Sequence, residues 1–141
     1  MAFDKNSVVH NIALMYCAFT QLTDGEVHEE EIKAVAKHSW GWMDALEVDL
    51  TGDDKVDLDD VKELLFDDVI PFYNAMDDDS RISEYVKVAS TLKGLEWWND
   101  DISKGFLGDL KDIADADGNY HENEKKWIGA TAEIFGVDSP A

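Results

Sequence analysis

Two acidic octets contain the residue types and the spacing that could bind a cation. They are Asp24-Gly25-Glu26-Val27-His28-Glu29-Glu30-Glu31 and Asp117-Gly118-Asn119-Tyr120-His121-Glu122-Asn123-Glu124. Their offset is 117 − 24 = 93 positions, and they share Asp, Gly, His and two Glu. The glycine permits positive φ and a tight reversal, while the aspartate can accept backbone N–H groups or face a cation. The last glutamate of each octet places a second carboxylate one helical turn further along the chain. Calcium prefers such oxygen ligands.

Apolar residues at helical spacing precede and follow each octet. This pattern predicts two units, each made of a helix, an acidic corner and a second helix. We expect an all-α single domain of about six to eight helices, arranged as two pseudo-repeated halves. The halves cover about residues 1–76 and 77–138, and the predicted helices cover about residues 7–22, 29–46, 59–76, 82–94, 99–115 and 121–135. A kink or break is expected near Trp40-Gly41-Trp42, and another near Ile70, because Pro71 cannot donate an intrahelical hydrogen bond.

The octets have two possible roles. An Asp-Gly turn followed by a glutamate is also an ordinary helix start, in which the glutamate bonds back to the backbone of the cap residue. Alternatively, the corners meet around a pseudo-twofold axis, where buried carboxylates require a cation or raised pKa values. The carboxylates of this second arrangement are Asp24, Glu31, Asp117 and Glu124.

The second corner also fits part of an EF-hand calcium loop. In that register Asp115, Asp117 and Glu124 hold the third, fifth and twelfth positions. Ile113 stands where the first aspartate belongs, so this loop is incomplete by itself. The first corner is the expected donor of the missing ligand.

Residues 49–60 form a separate candidate calcium site. Asp49 and Asp53 stand at the first and fifth positions of an EF-hand loop, and Asp60 stands at the twelfth. Asp54 departs from the pattern, because it occupies the position of the glycine that permits the sharp turn. The alternative is an acidic loop in which Asp57 caps the next helix.

Composition limits the classes of partner. The chain has 141 residues, 45% of them hydrophobic, and a net charge of −20. Such a charge repels nucleic acid and anionic membranes and favours cations or basic protein surfaces. Residues 6–23 lack charge but are too polar to span a bilayer. The single cysteine, Cys17, excludes an intramolecular disulfide and indicates a cytoplasmic protein, with Cys17 in the core.

The sequence contains few features that indicate catalysis. It has no glycine-rich phosphate loop, and His28-Glu29-Glu30-Glu31 lacks the second histidine of a zinc protease. Cys17 has no evident base partner in the sequence. We therefore expect a protein that is not an enzyme. Five tryptophans are expected to pack in the core rather than to stack on a ligand.

The two corners, headed by Thr23-Asp24-Gly25 and Ala116-Asp117-Gly118, resemble those of TerB-like (tellurite resistance B) domains. The resemblance covers most of the chain, and its specific part is the two octets. It implies an all-helical domain with an internal repeat, a role in bacterial stress or tellurite resistance, and no known catalysis. It also implies that acidic residues of both corners hold a metal ion. His28 and His121 depart from the family, which often has serine or threonine at these positions.

These observations predict a non-catalytic acidic module that binds a divalent cation and acts through protein contacts. Calcium is favoured over magnesium because the candidate ligands are all oxygen atoms and are numerous. An alternative is a calcium sensor or buffer that uses the loop 49–60, with the corners only structural. A third possibility, a small acid–base enzyme, would require a carboxylate that titrates near neutral pH without metal.

Overall fold

The helices follow the apolar periodicity of the sequence. The computed structural model describes residues 7–24, 29–47, 56–116 and 122–138, with the backbone alone for 21–24 and 29–31. These ranges contain α1 (Val8–Asp24), α2 (Glu29–Ala45), α3 (Leu58–Lys62), a π-helical segment (Glu63–Val69), α4 (Ile70–Asn74), α5 (Asp78–Lys93), α6 (Asp100–Asp115) and α7 (Glu122–Phe135). They contain no strand, which confirms the all-α prediction. The internal repeat stays a prediction.

Helix α1 lies at the centre of the fold. It has no Asp, Glu, Lys or Arg before its last position, Asp24, and it contacts α2, α4, α5, α6, α7 and the π-helical segment. Ile12, Met15 and Phe19 are fully buried in it. Its wide apolar surface allows helices to pack around it on several sides, as its uncharged sequence predicts. Among the described residues, no helix combines the length and the apolar character needed to cross a bilayer.

Polar side chains begin several of the helices. The Asp77 carboxylate accepts a hydrogen bond from the Ser80 N–H at 2.8 Å and so caps α5. The Asn99 side chain accepts one from the Ile102 N–H at 2.9 Å and caps α6. Both contacts satisfy N–H groups that a helix start leaves without intrahelical partners. The start predicted at residue 99 is therefore confirmed, whereas α5 begins at Asp78, four residues before the predicted residue 82.

Pro71 determines the shape of the third predicted helix. The π-helical segment precedes it, and the Ile70 N–H donates to the Leu65 carbonyl five residues earlier. Proline lacks an N–H and its ring clashes with the carbonyl four residues back, so the preceding turn widens. The expected irregularity near Ile70 therefore takes the form of a π-helical turn between α3 and α4.

Helix α2 continues through Gly41 to Ala45, so it is not broken at Trp40-Gly41-Trp42, where the sequence predicts a kink or break. A glycine inside a helix costs only about 0.5–1 kcal/mol relative to alanine. Packing of the residues that follow it offsets that cost: Met43 is fully buried, and Trp42 stacks on Trp98 with ring centroids 5.8 Å apart.

Candidate functional site

The two corners connect helices that contact each other. Helix α1 ends at Asp24 and α2 begins at Glu29, while α6 ends at Asp115 and α7 begins at Glu122. Asp117 lies outside the described residues, as do the side chains of Asp24 and Glu31.

Two predicted ligands of the second corner have described side chains. Asp115 is exposed at the end of α6. Glu124 is 1% exposed in the first turn of α7. Its carboxylate has the donor chemistry of a hard-cation ligand. Nowhere in the described ranges do three or more His, Cys, Asp or Glu side chains form a group that could hold a metal ion.

The acidic loop before α3 ends in a helix cap. Asp57 accepts from the backbone N–H groups of Asp59 and Asp60, and the Asp60 carboxylate accepts from the Asp57 N–H at 2.8 Å. This reciprocal arrangement is a capping box, and Asp60 is fully buried. The predicted capping by Asp57 is thus confirmed. Asp49 and Asp53 lie outside the described residues, so the calcium loop stays a prediction.

Five side chains that we call the His38 network join α1, α2 and α6. The His38 ring nitrogens lie 3.1 Å from Asp109 and 2.7 Å from Asp112. The Tyr16 hydroxyl donates to the second Asp109 oxygen at 2.8 Å and accepts from the Trp42 indole N–H at 2.7 Å. Both nitrogens of His38 face a carboxylate, so the network favours an imidazolium ion and ties α2 to α6.

The stability supplied by His38 should depend on pH. Its pKa is raised above 6.5, chiefly by the hydrogen bond with Asp109 and against the effect of partial burial. Because the folded-state pKa is the higher one, this stabilisation is complete below the unfolded pKa and is lost as pH rises through the folded pKa. We expect the advantage of the wild type over His38→Gln in free energy of unfolding to shrink as pH rises from about 6.5 through the raised folded-state pKa of His38.

Urea denaturation of the two proteins at each pH measures this difference and cancels the titration of groups that they share. The same pH dependence in both proteins would show that His38 contributes none of it.

A second histidine–aspartate pair is buried between α1 and the π-helical segment. His10 Nε2 lies 2.8 Å from Asp68 Oδ2, and the two side chains are 2% and 0% exposed. Polar groups at this depth are stable only when they are hydrogen-bonded, so the pair fixes the relative position of the two elements.

An apolar cavity of about 250 Å³ lies between α1, α2 and the π-helical and α4 segments. Its walls include Cys17 and Thr20 from α1, Ile32 and Val35 from α2, Leu65 from the π-helical segment and Tyr73 from α4. Cys17 is partly exposed, not fully buried, and packs against the core. Burial raises the pKa of its thiol to about 12, so it is a neutral wall residue at physiological pH and a poor nucleophile.

The His38 network and the buried pair were not predicted from the sequence. One signal was available: Tyr16 and Asp109 are 93 positions apart, which is the offset between the two octets. If the predicted internal repeat forms a twofold, residues at this offset would be equivalent and would meet near its axis. His38 and Asp68 have no comparable sequence signal, because their separations from Asp112 and His10, 74 and 58 positions, do not match the offset between the octets.

No family model matches the chain, and comparison with curated proteins and with solved structures also gives no match. The resemblance to TerB-like domains therefore depends on the two octets.

Proposed function

We propose that this chain is a non-catalytic acidic module that binds a divalent cation, Ca²⁺ in preference to Mg²⁺, at its two corners and acts through protein contacts. The observation that carries the proposal is the burial of Glu124, which is 1% exposed in the first turn of α7. A carboxylate at this depth requires hydrogen-bond donors, a cation or a raised pKa. Glu124 ends the second octet, at the position where a calcium loop places its last ligand.

The packing of the helices that flank the octets supports a shared site. Helix α1 contacts α2, and α6 contacts α7, as expected for two helical hairpins. Contacts also cross between the hairpins, since α1 packs against α7 and α2 packs against α6. Tyr16 and Asp109, which the octet offset of 93 positions would make equivalent, form a hydrogen bond, and such a contact is expected near a twofold that relates the hairpins. In the proposal, the ion is held by the carboxylates of Asp24, Glu31, Asp117 and Glu124. Asp115 adds negative charge nearby.

The surface of the molecule suits this role. A net charge of −20 attracts cations and basic protein surfaces. Helix α5 also exposes Ile82 and Val86, which lie one turn apart and are 41% and 42% exposed. An acidic surface with exposed apolar side chains fits a basic protein partner, and the bacterial stress and tellurite-resistance setting remains part of the proposal.

Calorimetric titration of chelator-stripped protein with Ca²⁺ and Mg²⁺ tests cation binding, at about 0.15 M salt to screen diffuse attraction. We expect saturable Ca²⁺ binding that Glu124→Gln and Asp117→Asn each weaken by roughly tenfold or more, since even groups that only support metal ligands contribute this much. Glu133→Gln is the matched control, because it removes the same charge from an exposed position of the same helix.

Two other results would contradict the corner site. Calcium binding that Asp49→Asn abolishes and Glu124→Gln leaves intact would instead identify a calcium sensor or buffer based on the loop 49–60. A heat of titration that varies only with ionic strength would mean that the octets are ordinary helix starts.

A further inference from the structure

The short connection between α5 and α6 exposes a tryptophan beside the aromatic core. Trp97 is 43% exposed, and its ring centroid lies 5.9 Å from that of Trp98. Trp98 is buried, stacks on Trp42 and donates from its indole N–H to Ser103 Oγ at 2.7 Å. The Trp98 N–H bonds to the Leu95 carbonyl at 3.0 Å, which closes a turn that contains Trp97. The backbone of Trp97 and the neighbour of its ring are therefore fixed, so the ring would lose little conformational freedom on binding.

Three acidic residues next to Trp97 lack a counter-charge. Glu96 precedes it, Asp100 and Asp101 begin α6, and all three are exposed. Within the described ranges none of these carboxylates forms an ion pair. Lys93, the basic residue closest to Trp97 in the sequence, places its ammonium group against the C-terminal end of α7 instead. The N-terminus of α6 supplies only about half a positive charge, so most of the negative charge around Trp97 remains.

An exposed tryptophan among unpaired carboxylates is suited to a cationic partner. Tryptophan forms the strongest cation–π contacts of the aromatic residues and is enriched among the side chains that dominate protein interfaces. The planar guanidinium group of arginine stacks on an aromatic ring while its N–H groups pair with carboxylates, a combination that the ammonium group of lysine does not match. A second copy of this chain, with its net charge of −20, would bring like charge to this surface, as would nucleic acid.

We propose that Trp97, Glu96, Asp100 and Asp101, which we call the Trp97 surface, bind a basic segment of a protein partner through an arginine side chain. The guanidinium group stacks on the Trp97 ring, and its N–H groups pair with the flanking carboxylates. The inference rests on the proposed role in protein contacts and identifies the surface and the chemistry of the partner. It does not depend on cation binding at the corners.

Three peptides test which cation the surface prefers. The probe is the blocked tripeptide Gly-Arg-Gly, and its counterparts contain lysine or the uncharged arginine isostere citrulline in place of arginine. Binding is followed by amide and indole NMR signals at about 0.15 M salt with chelator present. We expect the arginine peptide to shift the Trp97 indole signal saturably, to bind severalfold more tightly than the lysine peptide, and to lose this binding when citrulline replaces arginine.

The contribution of the ring is measured with Trp97→Leu, whose spectrum also identifies the Trp97 indole signal by its absence. We expect this variant to bind the arginine peptide roughly three- to tenfold more weakly, the range of a partly desolvated cation–π contact. Trp40→Leu is the matched control, because Trp40 is 45% exposed but belongs to α2. It should bind the arginine peptide as the wild type does.

The contribution of charge is measured with Asp101→Asn, which should weaken the arginine peptide severalfold. Asp79→Asn is its control. Each substitution removes one exposed carboxylate from the second residue of a helix, but Asp79 lies at the end of α5 remote from Trp97. We expect the control to retain the affinity of the wild type.

Several results would contradict the proposal. Equal affinity for the arginine and lysine peptides, or equal losses in Trp97→Leu and Trp40→Leu, would overturn the stacking of arginine on Trp97. A wild-type Trp97 indole signal that does not respond saturably would overturn the surface, whatever the variants do. Self-association of the protein that Trp97→Leu abolishes would mean that a second copy occupies it. Because chelator is present throughout, the result is independent of the Ca²⁺ titration of the corners.

Discussion

Replacement of His10 by leucine is expected to lower the free energy of unfolding by about 3–5 kcal/mol, the usual cost of removing one partner of a buried polar pair. The substitution takes away the 2.8 Å hydrogen bond to Asp68, whose side chain is fully buried in the π-helical segment. Leucine approximates the volume of the imidazole ring, so most of the loss should reflect the missing hydrogen bond between His10 and the buried Asp68 carboxylate. Urea denaturation followed by circular dichroism measures it.

The double variant His10→Leu, Asp68→Leu is the control for this experiment. It removes both polar groups, and apolar replacement of a whole buried pair is often close to neutral. We expect it to be more stable than His10→Leu alone, with a strong favourable coupling in the double-mutant cycle. If the two single losses simply add, the pair makes no specific contribution to stability.

The second large effect is expected at the aromatic centre of the core. Phe106 is fully buried, and its ring centroid lies 5.1 Å from that of Tyr16 and 5.7 Å from that of Phe135. Phe106→Ala should destabilise the protein by about 3–5 kcal/mol, because it loses apolar burial and leaves a cavity. Thermal and urea unfolding of the same preparations would provide the measurement.

Phe66→Ala provides the matched comparison, since it removes the same atoms from a side chain that is 52% exposed. We expect its effect to stay within about 0.5 kcal/mol, as is usual for surface substitutions. Similar losses at the two positions would mean that Phe106 does not contribute to the core in the way its burial indicates.

Local sequence patterns predicted the helices because their signals lie within the segments themselves. Asp77 and Asn99 mark helix starts through hydrogen bonds that span only three residues. Gly136, which takes a φ of 73°, marks the end of α7 as glycine commonly does. Pro71 located the irregular turn before α4, although the sequence could not specify that the turn would be π-helical.

Tertiary packing explains what local patterns missed. Gly41 suggested a break, but burial of Met43 and the stacking of Trp42 hold the helix together across it. The His38 network brings together residues up to 93 positions apart in the chain, and no pattern within one helix reports such a contact. The loop before α3 was ambiguous for another reason, because capping boxes and calcium loops use the same acidic residues.

The expectation for the tryptophans was met only in part. Trp98 is buried and Trp42 and Trp127 pack against the core, whereas Trp40 and Trp97 are 45% and 43% exposed. Hydrophobicity alone could not separate them, since large aromatic side chains are often only partly buried in small domains.

The stacking of Trp42 on Trp98 also has an optical consequence. The indole planes are inclined by only 6° and their centroids are 5.8 Å apart. Chromophores at this separation couple their excited states, so the far-ultraviolet circular dichroism of the folded chain contains an exciton contribution in addition to the helical signal. Helix content calculated from ellipticity alone will therefore be in error by that amount. The same contribution is an intrinsic spectroscopic label for the docking of α2 against the connection between α5 and α6.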